Sequence, residues 1–196
     1  MNSYILGILW SIGSPIEDVY PYLMLRHRDR YFLDVVHEAL DLPGSVFEGE
    51  SSTGPQYKLK IFNFDINLLA QYGWQPRISA QRSYPSIQEH RDFIRAYFEL
   101  HSALDKIIFR KRGKERIGTR LRIYGNRYFL DELTKVLNSE IGILPKRVQK
   151  ATRKSESSGI LYYQNRQELD KIFSYLYCQE IANFHRGYYD RYKAMI

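Results

Sequence analysis

The pentapeptide RYFLD occurs twice in this chain, at 30–34 and at 127–131, and each copy opens a stretch with a helical stripe of apolar residues. Phe32, Val35, Val36 and Leu40 fall on one face after the first copy; Leu130, Leu133, Val136 and Leu137 do so after the second. Five shared residues constrain little by themselves, but the elements around them recur in the same order. Before the first copy stand an apolar helix over 4–12, stopped by Gly13–Ser14–Pro15, and an extended run, VYPYLMLRHR, which Pro21 demotes toward a sheet edge. After it come SVFEGESSTGPQYKLKIFNF, a hairpin turning at Gly54–Pro55, and a short helix, INLLAQYGW. The second series runs through a helix (HRDFIRAYFELHSAL), a hairpin (DKIIFRKRGKERIGTRLRIYG) turning at Arg112–Gly113–Lys114, and a helix (NRYFLDELTKVLN) capped by Asn126. A second hairpin (KRVQKATRKSESSGILYYQ) and the helix RQELDKIFSYLY complete it. The expectation is an α+β protein made of two αββαββα halves, residues 1–88 and 89–196. The first hairpin of the first half is shortened, and a linker over 75–88 joins the halves. CQEIANFHRGYYDRYKAMI adds a terminal helix with no counterpart in the first half.

Charge separates the two halves. Residues 1–88 carry seven basic and nine acidic residues; the remaining 108 residues carry 22 and 13. Such asymmetry points to a polyanionic partner engaged mainly by the second half. Eight basic residues lie between Lys106 and Arg122 (Lys106, Arg110, Lys111, Arg112, Lys114, Arg116, Arg120, Arg122), against Glu115 alone. Five more (Lys146, Arg147, Lys150, Arg153, Lys154) follow without an acid. The single cysteine, Cys178, excludes an internal disulfide and a cysteine-based zinc cluster. The N-terminal apolar run is too short to span a bilayer and lacks a preceding basic stretch. A soluble, cytoplasmic, DNA-associated protein without membrane contact is expected. The five histidines show no metal-ligand spacing, and no phosphate loop or nucleophile elbow is present. No cofactor and no metal are expected.

Gly7 stands inside the first apolar helix, where glycine costs roughly 1 kcal/mol relative to alanine. Residues 5–13, ILGILWSIG, resemble the nine-residue signature of the LAGLIDADG homing endonucleases, and residues 94–102, IRAYFELHS, fall where a second, degenerate copy belongs. The resemblance covers nearly the whole chain. It implies a single-chain pseudodimer in which the two signature helices pack at the centre, with small residues at the third position: Gly7 and Ala96. It also implies saddle-shaped antiparallel sheets that seat on duplex DNA. Family members carry a metal-binding acid at the eighth signature position of each helix. Here those positions are Ile12 and His101, and isoleucine cannot ligate a hard cation. The resemblance therefore implies loss of the catalytic acids. Glu99 falls about 200° from the expected direction on a helical wheel; Glu17 and Asp18 lie beyond Pro15, and Asp105 follows the second motif.

Strand alternation sorts the basic hairpin. Lys106, Ile108, Arg110 and Arg112 point one way along its first strand. Arg116, Gly118, Arg120 and Arg122 share one face of its second, with Ile117, Thr119, Leu121 and Ile123 behind them. Lys146, Arg147, Lys150 and Arg153 on the second hairpin, with Lys58 and Lys60 in the first half, complete the expected DNA contacts. The tyrosine pairs 162–163 and 188–189 are candidates for base stacking or for core packing. The expected function is binding of double-stranded DNA by a catalytically inactive, monomeric protein acting as a transcriptional regulator or repressor. One alternative is an active homing endonuclease or intron maturase. Another is a protein-interaction module whose acidic N-terminal half meets a basic partner.

Overall fold

The first apolar run forms α1 (Ser3–Ile12), with the Asn2 side chain accepting the Tyr4 backbone N–H at 2.8 Å. Every residue from Tyr4 to Ile12 is buried, which explains a helix with no polar face. In this computed structural model residues 1–52, 54–76, 79, 81–111, 113–151, 157–178 and 183–195 are described, Lys111 by its backbone alone. The chain divides into two compact units, Met1–Tyr97 and Phe98–Ile196.

In the first unit α1 lies against α4 (His90–His101), whose last four residues open the second unit. A Cβ placed on Gly7 would lie 2.7 Å from the Cβ of Ala96 and 2.9 Å from the carbonyl oxygen of Phe93. No side chain fits there without moving a backbone. Around the contact Trp10 meets Phe93 edge-on at 5.8 Å, and the Arg95 guanidinium lies 5.3 Å from the Tyr4 ring centre while pairing with Asp92 at 3.0 Å. Gly13 then carries the chain from helix to strand, where a Cβ would collide with the Leu9 carbonyl oxygen.

The sheet of this unit contains β1 (Gly13–Ile16), β2 (Tyr22–His27), β3 (Phe47–Gly49) and β4 (Gln56–Phe62), in the order β1-β2-β4-β3, all antiparallel. The first hairpin is thus short but present. Pro21 does not make the following strand an edge: it precedes β2, which is paired on both sides, while Pro15 occupies the true edge strand β1. Leu23, Leu25, Leu59 and Ile61 form the buried face, with α2 (Tyr31–Ala39) packed on β2 and β4. The short helix α3 (Asn67–Ala70) follows. Residues 82–85, within the expected linker, pack on this unit: the Arg82 guanidinium lies between the rings of Trp10 and Trp74, and Tyr84 meets Phe93.

The second unit repeats the plan. Its strands are β5 (Ser102–Lys111), β6 (Lys114–Asn126), β7 (Gln149–Lys150) and β8 (Ser158–Tyr163), in the order β5-β6-β8-β7. With α4, α5 (Arg127–Ile141) and α6 (Arg166–Leu176), the chain contains two αββαββα series. Asn126 caps α5 as its spacing predicts, its side chain accepting the Tyr128 N–H. The helix expected over 90–104 stops at His101, where β5 takes over. The terminal helix is also shorter than expected: α7 covers only Arg186–Lys193, with His185 as its N-cap. Ahead of it, Glu99 accepts both the Tyr177 hydroxyl at 2.9 Å and the His185 backbone N–H at 3.0 Å, and residues 178 and 183–185 lie outside any helix. Phe173 then stacks against Tyr192 at 3.5 Å between ring centres.

The Gly7 contact makes a prediction of sign. Alanine raises helix propensity by about 1 kcal/mol, yet its methyl group would collide with Ala96 and with backbone. Gly7→Ala is expected to lower the thermal midpoint. Gly7→Leu is expected to lower it further, by about 1–3 kcal/mol or more of stability. Thermal unfolding followed by circular dichroism checks both, and an unchanged or raised midpoint in Gly7→Ala contradicts the contact.

Candidate nucleic-acid interface

Register decides which basic residues act together. Residues directly opposite in an antiparallel pair share a face. On the β5–β6 ribbon, Leu104–Leu121, Lys106–Thr119, Ile108–Ile117 and Arg110–Glu115 lie on one face. Ala103–Arg122, Asp105–Arg120, Ile107–Gly118, Phe109–Arg116 and Lys111–Lys114 lie on the other. The two arginine series read from the sequence therefore occupy opposite sides of the ribbon. The apolar backing also holds only at the base, where Leu121 and Ile123 are buried; farther out Ile108 and Ile117 are 71% and 73% exposed. There the ribbon extends beyond its helix cover, and both faces meet solvent.

Arg120 and Arg122 stand on the face away from the buried leucines, joined by one carboxylate. Asp105 accepts from Arg120 Nη2 at 2.5 Å and Nε at 3.3 Å, and from Arg122 Nε at 3.1 Å. Tyr162, opposite Arg122 on β8, and Tyr124 lie beneath the guanidinium groups at 5.9 and 5.8 Å. The hydrogen bond from Arg120, with the charge of Arg122, holds the Asp105 carboxyl below its ordinary pKa of 3.8. In the sequence Asp105 reads only as a spare acid near the second motif. In the fold it is the centre of the basic face.

The other expected contacts separate. Lys114 and Arg116 are exposed at the ribbon tip on the Arg120 face. Arg110 faces the other way and pairs with Glu115 at 3.3 Å, an exposed ion pair that contributes little. Lys146 turns toward the helices, pairing with Glu168 of α6 at 2.6 Å beside the Tyr163 ring. Arg147 is exposed, and Lys150, opposite Gly159, falls on the face of Leu161 and Tyr163. Arg112 and Arg153 lie outside the described residues. Of the tyrosine pairs, Tyr163 and Tyr188 are core, Tyr189 packs on Tyr177 and Phe184, and Tyr162 lies under Arg120.

The first sheet has a comparable face that the sequence does not disclose. Arg26 stands directly opposite Lys58, Met24 opposite Lys60, and Tyr22 opposite Phe62, all on the side away from Leu25 and Leu59. Lys60 lies 5.1 Å from the Tyr22 ring centre, and the Lys58 ammonium donates to the Glu50 carbonyl at 3.3 Å. Arg26 becomes legible only through the β2–β4 register. Like charges directly opposite destabilise a sheet. The first sheet nonetheless contains such a pair on this face, Arg26–Lys58.

The positions where the resemblance would place metal-binding acids carry no carboxylate. Ile12 is buried at the end of α1, and His101 ends α4 half-exposed. Glu17 and Asp18 are exposed between β1 and β2. Glu99 is committed to Tyr177 and His185, and Asp105 to its two arginines. Among the described residues no group of three or more His, Cys, Asp or Glu side chains is placed to hold an ion.

No family model matches the sequence, and no curated protein matches it. Solved structures do match the fold. The LAGLIDADG homing endonuclease I-LtrWI bound to target DNA superposes with a TM-score of 0.65 at 11% identity, over 98% of this chain and 88% of that one. I-SmaMI bound to cleaved DNA gives 0.62 at 10%, over 98% and 87%. I-GzeII in complex with a DNA target gives 0.60 at 9%, over 98% and 88%. The fold is that of the LAGLIDADG homing endonucleases. Among the described residues no helix is long and apolar enough to cross a membrane.

The Asp105 clamp predicts a pH signature. A carboxyl whose pKa is depressed by folding contributes stability above its unfolded pKa and loses it as pH falls through the folded value. Wild type should exceed Asp105→Asn in thermal midpoint at neutral pH, and the two should converge as pH drops below 3.8. Parallel curves across that range would show that the clamp is not formed.

Proposed function

We propose that this protein binds double-stranded DNA along the open faces of its two sheets, as a monomer, without cutting it, and that it acts as a regulator of transcription, such as a repressor. The observation that carries the reading is the set of cations that each sheet presents on the side away from its buried leucines: Arg26 opposite Lys58 in the first, and Arg120 and Arg122 over Tyr162 and Tyr124 in the second. Folding alone disfavours the Arg26–Lys58 pair; a polyanion lying over the sheet turns it into a contact. An antiparallel ribbon fits the major groove of duplex DNA, and the structures that share this fold include proteins solved on DNA. Ile12 at the eighth position of the first signature supports binding without hydrolysis, because metal-assisted cleavage needs the cation held beside the scissile phosphate. Repression needs nothing further: a tight, uncleaved complex over a promoter excludes other proteins.

Two measurements test the reading. Supercoiled plasmid carrying a site selected from random duplexes should remain supercoiled in Mg²⁺ or Mn²⁺; metal-dependent linear product would favour a nuclease. Binding should weaken linearly in log[salt], and Lys114→Ala with Arg116→Ala should lower the slope by about 0.9 for each phosphate that is no longer neutralised. Lys58→Ala with Lys60→Ala reports in the same way on the first sheet. Absence of duplex binding would favour an interaction module instead.

A further inference from the structure

Resting on that DNA-binding reading, we infer that Arg120 and Arg122 read guanine edges and do not clamp phosphate, with Asp105 as the residue that positions them. Asp105 leaves donors over on both arginines. Arg120 spends Nε and one Nη2 hydrogen on the carboxylate; Arg122 spends Nε. Both guanidinium groups keep the terminal Nη1–Nη2 fork, which by covalent geometry points away from the occupied Nε side. That fork matches the O6 and N7 acceptors of guanine in the major groove.

Order and charge favour the same assignment. The Arg120 and Arg122 side chains are 27% and 31% exposed, gripped by Asp105 on one side and by the Tyr162 and Tyr124 rings on the other. A phosphate demands charge and tolerates many approaches, whereas a base edge demands a fixed plane. Two arginines sharing one carboxylate have a reduced net charge and a fixed plane. Their strand is also interior, paired with β5 at both arginines and with β8 from Leu121 onward. The exposed tip residues Lys114 and Arg116 reach farther out, toward a backbone. Residues two apart on a strand are separated by about 6.6–6.8 Å, roughly two base-pair rises of 3.4 Å. The half-site under this unit should therefore contain two guanines within about three base pairs.

The experiment uses the full chain and a selected duplex, with every single-base variant of that site titrated against wild type, Arg120→Lys, Arg122→Lys and Asp105→Asn. Wild type should prefer guanine at two nearby positions by roughly 5- to 150-fold each. Each lysine variant retains the charge but not the fork. It should erase one of the two preferences while leaving the salt slope unchanged. Asp105→Asn frees both guanidinium groups to swing onto phosphates, so it should flatten both preferences and steepen the salt slope. The inference is overturned if Asp105→Asn, verified as folded by circular dichroism, retains wild-type preferences and slope. It is equally overturned if the lysine variants weaken all duplexes alike. Wild type that binds duplexes without guanine preference in this half removes the inference and leaves the DNA-binding reading intact; wild type that binds no duplex removes both.

Discussion

The approach of α1 to α4 at Gly7 sets the limits within which the first unit is built. With Ala96 and the Phe93 carbonyl closer than any side chain at position 7 would allow, the two helix backbones come into contact. The lower helix propensity is offset by burial on all sides: Trp10, Phe93, Tyr4 and Arg95 close around the crossing. Gly13 then admits an immediate turn into β1, so the sheet begins where the helix ends. Deep burial of α1 has a chemical consequence as well. Its final residue is Ile12, which extends the apolar packing to the position where a metal-binding acid would be expected.

The second unit derives its character from Asp105. Counted as a charge run, Lys106 to Arg122 is a strip of eight cations. In the fold, register divides the strip between two faces, and Asp105, just outside the run, ties two of its arginines together. The result is less a diffuse positive surface than a small number of fixed guanidinium planes resting on tyrosine rings, with looser cations at the ribbon tip. On the DNA-binding reading proposed above, affinity and selectivity fall to different residues of one hairpin: exposed Lys114 and Arg116 to the backbone, ordered Arg120 and Arg122 to the bases.

Much of this architecture is legible in the residues alone. The repeated RYFLD helices, the glycine in a buried helix and the two hairpins per half carry short-range signals of periodicity, capping and turn chemistry, and these survive into the fold. What is not legible depends on long-range pairing. Pro21 suggests an edge strand because the sequence cannot show that β2 starts one residue later and pairs on both sides. Lys146 reads as an unpaired cation because its partner Glu168 is distant in sequence. Arg26 carries no signal of its own because its neighbour Lys58 arrives only through register. The terminal segment reads as one helix by composition, but α7 begins only at Arg186, after His185 donates its backbone N–H to the distant Glu99.

The central claim is that the sheet faces of this fold bind duplex DNA through fixed and tip cations and do not cut it. A single titration tests it most directly: fluorescence anisotropy of the purified protein on labelled duplex across a salt series, with the DNA recovered from Mg²⁺-containing samples and resolved on a gel. The account predicts saturable binding whose log K falls linearly with log[salt], together with intact DNA at every point. Binding that is absent at low salt, or duplex cut in proportion to complex formed, would contradict it.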